Sequence, residues 1–232
     1  MITQQTALIV GAGAGLSAAL ARRAAQDGMI VALAARNVDK LAALAAETGA
    51  STFACDVADE AAVAALFADV AGRLGAPDLV VFNPSARVRG AVHELDAAAV
   101  RQALLVSAFG GFLVGRAAAR QMLPRGSGSI FFTGASASVK GFANSSSFAM
   151  GKFGLRGLAQ SMARELAPKG IHVGHFIIDG AIQVADGSRQ RDKGPDAALD
   201  PAAIADSYFH VHKQPRNAWT WEVELRPFVE TF

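Results

Sequence analysis

Short, nearly continuous apolar runs alternate along the chain with longer segments whose apolar residues recur every three or four positions. Ala7–Val10, Ile30–Leu33, Thr52–Ala54, Leu79–Phe82, Ser129–Thr133, Ile171–Ile178 and Trp219–Leu225 read as strands. Between them, Leu16–Ala25, Val38–Thr48, the segment capped by Asp59, Ala97–Leu123, Ser147–Leu166 and the segment opening at Pro201 read as helices. Asn37 is the expected N-cap of the second helix, and Pro124 the stop of the long one. Strands buried on both faces show near-continuous apolar runs, so the pattern predicts a parallel sheet with helices on both sides. The expected architecture is a doubly wound α/β fold of about seven strands, formed as one domain over residues 1–232. The polar stretch Asp186–Leu199 interrupts the rhythm and is expected to form a mobile substrate loop at about 185–200.

Composition narrows the function class. Of 232 residues, 52% are apolar and 18% charged, which gives a core and excludes a disordered chain. A net charge of +2 argues against a nucleic-acid partner or a polybasic membrane anchor. The uncharged runs Gln102–Gly115 and Gly126–Val139 each have 14 residues, short of the roughly 20 that a spanning helix needs, so no membrane partner is expected. Cys55 stands alone, no Cys/His spacing suggests a metal site, and a reducing cytoplasm is the expected location. The aromatic balance is uneven: 14 Phe and 1 Tyr, Tyr208.

Ligands of doubly wound sheets bind beyond the carboxyl ends of the strands. Gly11-Ala12-Gly13-Ala14-Gly15 follows the first strand and opens the first helix at Leu16. Glycines let a backbone approach a phosphate closely, and the helix N-terminus offers it free N–H groups. Arg36 and Asn37 end the second strand, where a dinucleotide lacking a 2′-phosphate usually meets an acidic residue. A guanidinium there matches the 2′-phosphate of NADP(H) rather than NAD(H); a solvated surface arginine is the plain alternative. Asp56 after the third strand suits either an adenine amino group or a turn. Asn83 after the fourth is expected to tie strand ends together. Arg87 and Arg89 follow it, either as a solvated loop or in contact with an acidic substrate.

Together these positions resemble the short-chain dehydrogenase/reductase family over nearly the whole chain. The family's glycine turn, Thr-Gly-x-x-x-Gly-x-Gly, matches Val10–Ser17 at Gly11 and Gly15 and departs from it at the first and last positions, its Asp-Val matches Asp56-Val57, and its Asn-Asn-Ala-Gly becomes Asn83-Pro84-Ser85-Ala86. The resemblance implies a Rossmann fold, a small-molecule substrate, and a dinucleotide held by Gly11, Ala14, Gly15, Leu16, Arg36, Asn37, Asp56, Val57, Asn83, Lys152 and Gly180. Gly180 belongs to Asp179-Gly180, which replaces the family's Pro-Gly. The family's catalytic Tyr-x-x-x-Lys becomes Phe148-Ala149-Met150-Gly151-Lys152, so Lys152 is kept and Phe148 stands at the tyrosine. Its serine, 13 residues before Phe148, falls on Ala135, with Ser136 and Ser138 close enough to restore a hydroxyl. Its asparagine falls on Ser107. The spacing Gly11 to Ser17 also fits the superfamily's enoyl reductases, whose tyrosine, seven residues before Lys152, would be Ser145.

Two readings of function follow. One is an NADP(H)-dependent oxidoreductase with a degenerate Ser-Tyr-Lys site, acting on a small carbonyl or conjugated substrate. The other is a non-catalytic NADP(H)-binding sensor or assembly protein. Tyr208 as a substitute acid, and His210 with His212 lining the cleft, are further candidates. The resemblance also implies a homodimer or homotetramer, packed through Phe109-Gly110-Gly111-Phe112 and Phe153-Gly154-Leu155.

Overall fold

The computed structural model describes residues 4–183, 194 and 196–230. Its strands are β1 (Thr6–Val10), β2 (Ile30–Ala35), β3 (Ser51–Ala54), β4 (Leu79–Phe82), β5 (Ser129–Thr133), β6 (His172–Ile178) and β7 (Glu222–Leu225). They form one seven-stranded sheet in the order β3-β2-β1-β4-β5-β6-β7. Every pairing is parallel. The helices are α1 (Leu16–Gln26), α2 (Ala42–Thr48), α3 (Glu60–Leu74), α4 (Ala97–Leu104), α5 (Gly110–Met122), α6 (Ser146–Leu166) and α7 (Pro201–His212). This is the doubly wound Rossmann architecture expected from the alternation.

Successive strand side chains point to opposite faces, and each face has its own core. Leu8, Val10, Val80, Phe82, Ile130 and Phe132 are buried with Val63, Leu66 and Phe67 of α3, Leu113 of α5 and Leu155 of α6. Ala7, Ile9, Leu33, Val81, Phe131 and Phe176 are buried with Leu20 of α1 and Tyr208 and Phe209 of α7. Because both faces are covered, β1 has no exposed position, which is why it reads as an unbroken apolar run.

Some boundaries differ from expectation for local reasons. The second helix begins as a 3-10 turn, Asp39–Leu41, whose N-cap is Val38 and not Asn37; Asn37 Oδ1 accepts the Asp39 N–H at 2.9 Å from one residue before the cap. The long helix is α4 and α5 joined through a π-helical turn, Leu105–Phe109, with a final 3-10 turn, Leu123–Arg125, containing Pro124. The wide turn brings Ser107 toward α6, where a Cβ on Gly151 would lie 2.9 Å from Ser107 Cβ. The last strand starts at Glu222, because the Trp219 ring stacks on His172 at 4.6 Å instead of extending β7.

Counting uncharged runs also understates two segments. No charge occurs before Arg22, yet that stretch is divided among β1, the glycine turn and α1. Ala97–Arg125 is 29 residues long and apolar enough to cross a membrane by length and hydropathy. Its inner face, including Leu113, Val114 and Ala118, lies in the core against the sheet. The loop expected at 185–200 falls outside the described residues except for 194 and 196–200.

The chain crosses from β3 to β4 on the far side of β1, so the switch point lies between β1 and β4. Val10, Phe82, Thr133 and Ile178 end their strands on this edge, and the residues following them build the site.

Candidate functional site

The glycine turn is fixed from beneath. Gly11 has φ +79°, and a Cβ there would lie 2.7 Å from Pro84 N, so glycine is required twice over, by backbone and by space. The Gly11 and Ala12 N–H groups both donate to Ala34 O at 2.9 Å. Ser17 Oγ donates to Gly11 O at 3.0 Å and accepts from Asn83 Nδ2 at 2.7 Å. Asn83 therefore ties the turn to the end of β4, as expected, and Ser17 is the intermediary. Above this base, Gly13 and Gly15 face open space, and α1 has no side-chain cap and no acidic residue in its first turn. Free N–H donors at the positive end of an eleven-residue helix fit a pyrophosphate. Ala14 is exposed over this opening, whereas the Leu16 side chain is buried in the core.

The adenosine side is mixed. Arg36 is exposed directly after β2 and forms no ion pair or hydrogen bond among the described residues. Asn37 Oδ1 is engaged by the Asp39 N–H. Asp56 Oδ1 accepts the Ala58 N–H at 3.0 Å, which is the turn role of its two alternatives. The Val57 side chain is buried, and a Cβ on Gly110 would meet it at 3.0 Å, so it packs under α5 and takes no part in lining the cleft.

On the other side of β4 opens a cleft of about 960 Å³, lined among others by Asn83, Arg87, Ser136, Phe148, Lys152 and Gly180. Lys152 and Phe148 come from the same helix, four positions apart, and so share a face. Lys152 Nζ donates to Thr133 O at 2.7 Å, and its side chain is almost wholly buried. Burial, assisted by the Arg87 charge, pulls its pKa down to about 8. An ammonium has three protons, so one bond to Thr133 leaves donors for a ligand. The Phe148 ring lies where the resemblance puts a phenol, and the Arg87 guanidinium sits over it, with Cζ 3.8 Å from the ring centroid.

The remaining catalytic expectations divide. Ser136 lines the cleft. Ser138 does not serve as its alternate, being fully buried: its Oγ accepts the Ala135 N–H at 3.1 Å and lies 3.4 Å from His175 Nε2. His175 Nδ1 in turn contacts Glu222 Oε1 at 3.0 Å. The serine, histidine and carboxylate are in hydrolase-like order, but burial seals them from substrate, and desolvation holds the imidazole down to a pKa of about 4. They anchor the loop carrying Ala135 and Ser136. Ser107 also lies outside the cleft: its Oγ accepts the Ala86 N–H at 3.0 Å and donates to Ala86 O.

Tyr208 is no substitute acid. It is fully buried, shares a 2.9 Å hydrogen bond with Thr133 Oγ1, stacks on Phe176 at 3.6 Å, and has its pKa raised by burial. His212 lies at the opposite end of the sheet, its Nδ1 2.8 Å from the Oγ of Ser129, the first residue of β5; His210, also on α7, is outside the cleft lining. Gly180 lines the cleft, and a Cβ there would meet Pro227 Cδ at 2.7 Å. Asp179 beside it is buried and paired with Arg226 at 3.0 Å and Lys140 at 3.4 Å. Among the described residues no cluster of three or more His, Cys, Asp or Glu is placed to hold a metal ion.

Sequence reasoning missed Thr133 and Ser147 and did not give Ser17 its bridging role. Ser147 Oγ accepts the Val88 N–H at 3.0 Å and donates to Val88 O at 2.8 Å, repeating the arrangement of Ser107 with Ala86. Only Ser17 had a signal, its spacing from Gly11.

Comparison with known proteins agrees with this geometry. The model of the short chain dehydrogenase family matches residues 5–192. The chain is 35% identical over 175 residues to the cis-4-hydroxycyclohexanecarboxylate dehydrogenase of Sinomonas cyclohexanicum, covering 73% of this chain and 70% of that protein. A short-chain dehydrogenase from Rhodopseudomonas palustris superposes with a TM-score of 0.83 at 38% identity, over 97% of this chain and 99% of that one. A metagenomic short-chain oxidoreductase in complex with NADP gives 0.84 at 28% identity, over 97% and 98%.

Proposed function

Because the chain belongs to the short-chain dehydrogenase family, a family of oxidoreductases, we propose that it is an NADP(H)-dependent oxidoreductase. It acts on a small carbonyl or conjugated substrate without a tyrosine proton donor. The observation that carries this reading is Lys152: a buried ammonium held on Thr133 O, in a fold that also presents the open glycine turn and uncapped N-terminus of α1. Its spare donors suit a ribose diol. Arg36, exposed and unpaired among the described residues, suits a 2′-phosphate. The metagenomic relative's NADP complex supports the same preference. One nucleotide-binding domain supplies both halves of the site.

A nicotinamide dinucleotide held by the glycine turn and Lys152 would supply hydride chemistry to the substrate carbon. Phe148 has no proton to give, so the substrate oxygen takes its proton from water entering the open cleft, while the Ser136 hydroxyl and Lys152 hold the developing charge. NADPH consumption with a panel of small ketones, aldehydes and enones tests this. At least one member should oxidise NADPH well above background, and a flat panel would remove the catalytic reading.

The buried positions of Ser138 and Tyr208, and the absent phenol at Phe148, favour a second reading, a non-catalytic NADP(H)-binding sensor or assembly protein. Both readings require the same cofactor contacts. Arg36→Ala is expected to weaken NADPH binding by roughly ten- to a hundredfold, the scale of a charge-assisted hydrogen bond, and to leave NADH nearly unchanged. Calorimetric titration with both dinucleotides checks this.

Phe109, Phe112, Met150 and Phe153 are large apolar side chains exposed on the outer helices. We propose that they pair across a two-fold axis in a homodimer or homotetramer. Light scattering should give at least twice the monomer mass, and a monomer would contradict it. The buried Cys55 thiol, pushed up to about 11 by burial and by Asp56 and Asp59, is unreactive and suits a cytoplasmic protein.

A further inference from the structure

In the loop that follows β4, every second residue, Ser85, Arg87 and Arg89, lines the cleft. Two buried serines hold this loop in place. Ser107 exchanges hydrogen bonds with both backbone groups of Ala86, and Ser147 does the same with Val88. A third tie joins the Gly90 N–H to Asn144 O at 3.2 Å. Each serine is 1% exposed, so water does not compete for these bonds. Ala86 and Val88 are stapled to the helices, and Arg87 and Arg89 both line the cleft.

Arg87 is therefore a positioned side chain on a pinned backbone, and it rests on the Phe148 ring with Cζ 3.8 Å from the centroid. A tyrosine hydroxyl is not needed for that contact, since the ring face alone attracts a cation. Four cations, Arg87, Arg89, Lys140 and Lys152, line the cleft with two carboxylates, Asp179 and Glu230. Lys140 is paired with Asp179, and Lys152 is hydrogen-bonded to Thr133. Arg87 and Arg89 have no ion-pair partner among the described residues, and the Arg87 pKa is depressed by burial and by the Arg89 charge. Two like charges lining one cavity are a cost to the free protein that an anion would remove. A guanidinium presents paired N–H groups that match the two oxygens of a carboxylate.

We infer that Arg87, assisted by Arg89, is an anion clamp over the Phe148 ring, and that the substrate of this cleft carries a carboxylate group. The clamp itself stands on this geometry; that its ligand is a reactant rests on the oxidoreductase reading above. On this account the phenylalanine is the shelf of a substrate-recognition arginine.

The test is calorimetric titration of the full chain with benzoate and with benzamide, a neutral molecule of nearly the same shape, in the presence of NADPH. Wild type should bind benzoate at least about tenfold tighter than benzamide, with the preference shrinking as salt is raised. Arg87→Gln should bring the two ligands within about twofold, and Arg87→Lys, which keeps charge but loses the fork, should fall between. Arg89→Gln, farther from the shelf, should lower the preference severalfold and serves if the Arg87 variants fold poorly. Equal binding of the two probes by wild type, no binding of benzoate, or an unchanged preference in Arg87→Gln would overturn the clamp. NADPH titrated alone reports separately on the cofactor half. Loss of NADPH binding with the benzoate preference intact would defeat the oxidoreductase reading and leave the clamp standing.

Discussion

Lys152→Met is expected to abolish NADPH-dependent turnover, by roughly a thousandfold or more, and yet to raise the melting temperature at pH 7. The two effects have one cause. Lys152 is buried at the cleft floor with a single protein acceptor, Thr133 O, and its pKa is depressed to about 8. In the unfolded chain its pKa is near 10.4. Between those values the native state binds fewer protons than the unfolded one, so stability rises with pH across that window. Below pH 8 the buried ammonium holds the fold back by an amount on the order of 3 kcal/mol. Methionine keeps the length and apolar stem, and removes that cost together with the donors for cofactor and substrate. Melting curves at pH 7 and pH 10 check the stability half: wild type should gain between them from this residue, and the variant should lack that gain. Turnover checks the other half. Full activity in a well-folded Lys152→Met would contradict the role given to this side chain.

The double variant Phe148→Tyr with Ala135→Ser should gain carbonyl reductase activity by about 100- to 10,000-fold, the usual worth of a positioned general acid. Both positions line the cleft, and Lys152 is already in place on the same helix face to lower the phenol pKa. Arg87 over the ring adds a second positive charge in the same direction. Steady-state rates with a small ketone, compared with both single variants, check this. No gain in a folded double variant that still binds NADPH would show that the cleft lacks more than an acid.

The existence and order of the strands were legible throughout, and the bounds of two of them to the residue. Leu79–Phe82 and Ser129–Thr133 are read to the residue because strands buried on both faces show near-continuous apolar runs, here LVVF and the IFF centre of SIFFT. The glycine turn was equally plain, and the structure adds the reason for Gly11, the contact with Pro84, which sequence spacing does not show. The π-helical turn at Leu105–Phe109 had no local signal, since it answers to packing of Ser107 against the loop after β4 and to the close approach of Gly151. The catalytic side was less legible for a related reason. Ser136 and Ser138 are two residues apart, yet one faces the cleft and the other is sealed against His175, a residue 37 positions away. Tyr208 and His212 attracted attention as chemical types, but long-range burial against Phe176 and Ser129 decides their roles. Arg87 carried both of its readings into the structure, where the serine staples on either side separate it from an ordinary solvated loop.

The central claim is that this cleft takes NADP(H) through a retained cofactor half whose proton donor is missing. Its most direct measurement is calorimetric titration of the wild-type chain with NADPH and NADH at pH 7. One site per chain should appear for NADPH, bound at least about tenfold tighter than NADH because Arg36 meets the 2′-phosphate. Failure to bind either dinucleotide would contradict both the oxidoreductase and the sensor reading at once.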